Sequence, residues 1–103
     1  MRFAKNIWSA EDMNDLATIV YSLRRNIPVL DCFLVCLSPN EKNYFEILSS
    51  EELVKERNQK KDYFVVGISI GKKEALQLVM RIFEEAAEQM WDFRNLREEV
   101  QKW

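Results

Sequence analysis

Apolar positions recur in two rhythms along this chain. Met13, Leu16, Ala17, Val20 and Leu23 are spaced by three and four, the period of one helix face. Ser9, with Asp12 three residues later, reads as the N-cap of that helix, and Trp8 and Met13 flank it at the spacing of a hydrophobic staple. Arg24 and Arg25 suit the negative end of the helix dipole, and Asn26 and Pro28 stop it. Val29 to Leu37 is almost continuously apolar, the pattern of an interior strand covered on both faces. Ser38-Pro39-Asn40-Glu41 is a turn, since proline presets φ and asparagine tolerates the left-handed region. Tyr44 to Leu48, interrupted by Glu46, is a shorter strand suited to a sheet edge, so the two strands make a hairpin.

Ser49 with Glu52 forms a capping box, and Leu48 with Leu53 a staple, for a short second helix. That helix runs out in the polar stretch Glu56 to Lys61. Tyr63 to Ile70 is a third strand, placing Phe64, Val66, Ile68 and Ile70 on one face and Tyr63, Val65, Gly67 and Ser69 on the other. Gly71 closes it. From Glu74 a helical pattern runs to the end with no further glycine or proline. Met1 to Ile7 reads equally as a strand or an irregular lead-in. The fold class is therefore α+β, in the order helix, strand, strand, helix, strand, long helix. The expected sheet has three or four strands, is rich in antiparallel pairs and is packed by helices. Were Phe3 to Ile7 a strand, the βαββαβ order of a ferredoxin-like arrangement would be complete. The first strand divides into Leu30, Cys32, Leu34 and Cys36 against Phe33, Val35 and Leu37, so both sheet faces need cover. The first and last helices are expected on one of them, and the short second helix, the lead-in or a partner on the other.

The last helix carries the strongest functional clue. From Lys72 to Trp103 it would run about 45 Å at ~1.5 Å per residue. A domain of this length is only roughly 30–35 Å across. The stripe Leu76, Val79, Phe83, Ala86, Met90, Phe93 begins as core and continues as Leu96, Val100 and Trp103, with Trp91 beside it. An overhanging helix with exposed tryptophans is a solubility liability. Either it breaks near Asn95 and folds back, or it docks on a second chain, with a symmetric dimer as the commonest solution. The expected interaction surface is Met90, Trp91, Phe93, Leu96, Val100 and Trp103, an extension at 90–103 of a single domain spanning 1–103.

Composition narrows the function classes. The chain has 103 residues, ordinary apolar and aromatic content, and a formal net charge of −2 with interleaved signs. A nucleic-acid binder needs a dominant basic face, so nucleic acid is not an expected partner. Nothing approaches the ~20 apolar residues of a membrane span, and no apolar run of signal-peptide length follows Met1, so a cytoplasmic location is expected. Cys32 and Cys36 share a strand face roughly 13 Å apart at ~3.3 Å per residue, too far to bridge, and read as small buried hydrophobes.

Candidate chemistry is sparse. With no histidine, the commonest general base and zinc ligand are missing. No cofactor, metal or catalytic residue is expected. The carboxylates from Glu84 to Glu99 interleave with arginines as a solvated helix face does. Gly67 to Lys73 is close in outline to a P-loop, but three residues rather than four separate the glycines, and Lys73 stands where that motif needs a magnesium-binding hydroxyl. Gly71, Lys72 and Lys73, at a strand-to-helix junction, remain a weak candidate for an anion. Lys60-Lys61 and Lys72-Lys73 bracket the third strand from opposite ends and read as solvated loop charges.

The segment Asp62 to Leu76, a hydrophobic strand with a Gly-Ile pair leading into an acidic, alanine-containing helix, resembles one in short α+β proteins of Gram-positive, clostridial-type bacteria. The resemblance covers about a fifth of the chain. It implies a bacterial or mobile-element origin and no activity, and no site residue is carried over from it. The leading expectation is a non-enzymatic interaction or regulatory module that self-associates through its C-terminal helix, its partner being itself or another protein. A phage or mobile-element inhibitor directed at a host protein is one version. The alternative is a small-ligand or enzymatic domain using the helix start at 71–74.

Overall fold

A computed structural model describes residues 1–37, 45–55 and 61–89. The elements are β1 (Arg2–Trp8), α1 (Met13–Arg24), β2 (Cys32–Leu37), β3 (Phe45–Ser49), α2 (Ser50–Leu53), β4 (Phe64–Ile70) and α3 (Lys72–Glu88). The N-terminal segment is thus a strand, and the sheet has four strands in the order β1-β4-β2-β3. β2 runs antiparallel to both β3 and β4, while β1 lies parallel to β4. The fold is α+β with a mixed sheet. Its βαββαβ order is complete, yet the ferredoxin-like arrangement is not formed. β1 sits at the edge beside a parallel β4, and helices cover both faces.

The reason for the two-sided cover lies in β2. Val35 and Leu37 face one core, with Phe64 and Val66 of β4 and Ala75, Leu78, Ile82 and Ala86 of α3. Cys32, Leu34 and Cys36 face the other, with Tyr63, Val65 and Ile68, closed by Ile19 and Leu23 of α1 and Leu53 of α2. The alternation expected for β2 holds, and both of its faces need a helix. The first and last helices therefore divide between the faces rather than sharing one.

The alternation expected for β4 does not hold. Val35 pairs with Gly67 but Cys36 pairs with Val65, so Val66 is an extra residue. This β-bulge turns Val66 and Gly67 toward α3 and sends Ile68 to the opposite core, reversing the assignment of Ile68. Gly67 is needed at that point. A Cβ there would lie 3.2 Å from Val35 Cβ and 3.4 Å from Leu78 Cδ1, so the missing side chain lets α3 approach the sheet.

Element starts also differ from the sequence reading, most at α1 and β2. The N-cap of α1 is Asp12, not Ser9: its carboxylate accepts from the Asp15 N–H at 2.9 Å. Ser9 Oγ instead accepts from the Glu11 N–H at 3.0 Å, which turns the chain before the helix. β2 begins at Cys32 rather than Val29, because Asp31 takes φ 55° and leaves Leu30 79% exposed. The preceding Val29 is held by Ser50, whose buried hydroxyl accepts from the Val29 N–H (2.9 Å) and donates to its carbonyl (2.6 Å). The α2 cap is as expected, with Ser49 Oγ accepting from the Glu52 N–H at 3.2 Å.

Candidate interaction surface

Met90, Trp91, Phe93, Leu96, Val100 and Trp103 lie outside the described residues. The described helix that precedes them in sequence, α3, is rotated relative to the expected stripe. Its buried line is Ala75, Leu78, Ile82 and Ala86, spaced by three, four and four. Leu76, expected in the core, is 51% exposed, and Met80 one turn later is 63% exposed. Val79 and Phe83 lie between these lines, partly buried against the core. Phe83 meets Phe45 of β3 edge-on, with ring centroids 5.6 Å apart and planes at 79°.

β3 is the outer strand on this side, and Phe45 and Ile47 both pack partly buried against the α3 core. An apolar flank thus runs from the β3 edge across Phe83 and Val79 to Leu76 and Met80 on the outer face of α3. The sequence carried the signal for it. Leu78 and Ile82 form a second apolar line beside Leu76, Val79 and Phe83. A helix apolar around more than half of its circumference buries one part and presents the rest.

The anion candidate at residues 71–74 has a definite geometry. Gly71 takes φ 97°, its N–H donates to the Asp31 carbonyl at 2.7 Å, and its carbonyl accepts from Ser69 Oγ at 3.1 Å. The Glu74 carboxylate folds back against Gly71, where a Cβ would collide with it. A carboxylate of the protein itself therefore faces the positive end of the dipole. Lys72 and Lys73 are exposed.

Of the concavities beside β1, two are the larger. One, about 420 Å³, lies between β1 and α1, with Ile7, Leu16, Val20 and Tyr21 along its wall and Lys5 and Arg24 at its rim. Arg24 stacks on Phe3 at 4.8 Å and Arg25 on Tyr21 at 3.8 Å, so both cations cover aromatic rings. The other, about 360 Å³, lies on the α3 side between Asn6, Trp8, Arg81 and Glu85, where Arg81 stands over the Trp8 ring at 5.8 Å.

The buried titratable groups sit under α1 and α2. Both thiols are free and buried. Burial, and then the Glu11 charge, push Cys32 up to about 11. Cys36 is raised further by burial and by Glu46. Tyr63 Oη donates to Glu46 Oε2 at 3.1 Å, and burial followed by that carboxylate pushes the phenol up to about 12. Neutral thiols and a neutral phenol are poor nucleophiles, and their placement is that of core side chains. Among the described residues, no group of three or more His, Cys, Asp or Glu is arranged to hold a metal ion. No helix among them is long and apolar enough to cross a membrane. Compared with known protein families, curated proteins and solved structures, the chain matches none.

Proposed function

We propose that this chain is a cytoplasmic, non-catalytic protein-interaction module that associates with a second copy of itself through its last helix. The observation that carries this reading is the outer face of α3. Leu76 and Met80, a turn apart and more than half exposed, continue an apolar flank that begins at Phe45. Scattered exposed apolar residues need no explanation, but a contiguous flank beside an open sheet edge does. A second copy is the commonest partner for such a surface. The apolar positions at 90–103 belong to the same reading in sequence and lie outside the described residues.

Sedimentation velocity over a wide range of protein concentration tests it. The full chain is expected to shift from monomer to dimer as concentration rises. The double variant Leu76→Ser with Met80→Ser is expected to stay monomeric with an unchanged circular dichroism spectrum. A full chain that remains monomeric throughout, or a double variant that dimerises as the parent does, removes the proposal.

A further inference from the structure

The charges of α3 run against its own dipole. Lys72 and Lys73 open the helix at its positive end, while Glu84, Glu85 and Glu88 close it with no basic residue in the last turn. Arg81 is engaged over Trp8, Glu85 accepts from Gln89 Nε2 at 3.2 Å, and the Glu74 carboxylate lies against Gly71. That leaves Lys72, Lys73, Glu84 and Glu88, all exposed, and none of the four makes an ion pair among the described residues. Met80 is the middle residue of the 17 in α3. At ~1.5 Å per residue, Lys72 and Glu88 stand about 12 Å from it in opposite directions.

We propose that α3 packs antiparallel against α3 of a second copy, about a two-fold axis passing through Met80. This rests on the reading that the last helix mediates self-association, and it adds the register. Rotation about that axis brings Met80 onto its own copy and sets Leu76 beside the second copy's Phe83 and Glu84. It sets Lys72 of each helix opposite Glu88 of the other, and Lys73 one residue further in, between the other helix's Glu84 and Glu88. Charges that oppose the dipole in one helix become complementary across two, since each helix presents its basic end to an acidic end. A parallel pairing would set lysines against lysines and glutamates against glutamates. The interface is isologous, with an apolar centre and a charged rim. One helix pair buries less than the ~800 Å² per partner of a standard interface, so the association is reversible and weakens as salt screens the rim.

The test uses charge reversal in the full chain. Lys72→Glu with Lys73→Glu, and separately Glu84→Lys with Glu88→Lys, each make the antiparallel ends alike in charge. Each variant alone is expected to associate about tenfold or more weakly in low salt, and their equimolar mixture is expected to recover parental affinity. Both reversals improve the match to the helix dipole, so the monomers are expected to melt no lower than the parent, which separates lost association from lost folding. Met80→Cys is expected to cross-link to its own copy under mild oxidation, whereas Gln77→Cys is not. A parent that dimerises while both reversal variants dimerise equally well, or a mixture that fails to recover, overturns the register and leaves self-association standing. A monomeric parent overturns both.

Discussion

Leu76 and Leu78 stand two residues apart on α3, and the structure gives them opposite fates. Leu78 is 2% exposed and Leu76 is 51% exposed. Truncating each to alanine therefore tests the rotation of the helix on which the interaction surface depends. Leu78 Cδ1 lies over Gly67, 3.4 Å from where a Cβ would be, so no side chain stands below it to collapse into the space. Leu78→Ala then loses both the transfer term and a cavity term, about 3–4 kcal/mol within the usual range for buried leucines. Leu76→Ala gives up only about half of a transfer term, ~1 kcal/mol, and leaves no cavity. Alanine's better helix propensity recovers part of that. At about 4–8 °C per kcal/mol for a domain near this size, Leu78→Ala lowers Tm by on the order of 15 °C and Leu76→Ala by a few degrees. Urea unfolding followed by far-ultraviolet circular dichroism measures both, at concentrations too low for association to contribute. Equal losses, or a larger loss at Leu76, would mean that α3 is turned the other way and that its outer apolar flank does not exist.

Three further outcomes are expected. Gly67→Val forces branched carbons into a space where even a Cβ is 3.2 Å from Val35, so it is expected to destabilise by about 1–3 kcal/mol in the same unfolding assay. Stability is expected to fall on the alkaline side. Cys32 is raised from 9.0 to about 11 and Tyr63 from 10.0 to about 12, so the unfolded chain releases these protons first, and the folded state loses ground from about pH 9 to pH 12. Unfolding at a series of pH values, with Tyr63→Phe flattening the upper part of the decline, checks the sign. The anion alternative at residues 71–74 is checked by thermal shift with inorganic phosphate and nucleotides. A ligand at a hundred times its Kd stabilises by about 2.7 kcal/mol. With Glu74 already at the helix start, no anion-induced shift is expected, either in the parent or in Lys72→Ala with Lys73→Ala.

What the sequence made legible was local. The side-chain cap at Ser49, the two-sided pattern of β2 and the edge character of β3 all depend on neighbours within a few residues, and each stands in the structure. What it hid depends on distant partners. β1 is ambiguous by itself because its place is set by β4, with Arg2 bonded to Asp62 at 2.9 and 3.0 Å sixty residues away. The bulge at Val66 cannot be read from alternation, since both registers keep apolar residues on both faces. The stripe along α3 offered two overlapping apolar lines. Only the close approach over Gly67 decides that Leu78 and Ile82, rather than Leu76, turn inward. The surface expected at residues 90–103 lies outside the described residues, and the exposed apolar pair on α3 is not singled out by the sequence. Leu76 and Met80 were obscured because a leucine and a methionine on a helix so rich in apolar residues look like core.

The place of β4 between β1 and β2 has a consequence for how the chain is made. Both of its neighbours are synthesised earlier, and they do not pair with each other. Until Phe64 to Ile70 has emerged, the β2–β3 pair and the β1–α1 segment have no shared sheet to join. Local helix and hairpin formation takes microseconds, whereas synthesis proceeds at about 5–20 residues per second. The early parts therefore wait seconds for the strand that unites them, with the face of β2 that α3 later covers still exposed. The last of the described strands completes the sheet from its middle, and the nascent protein keeps one apolar face of β2 open until α3 follows it.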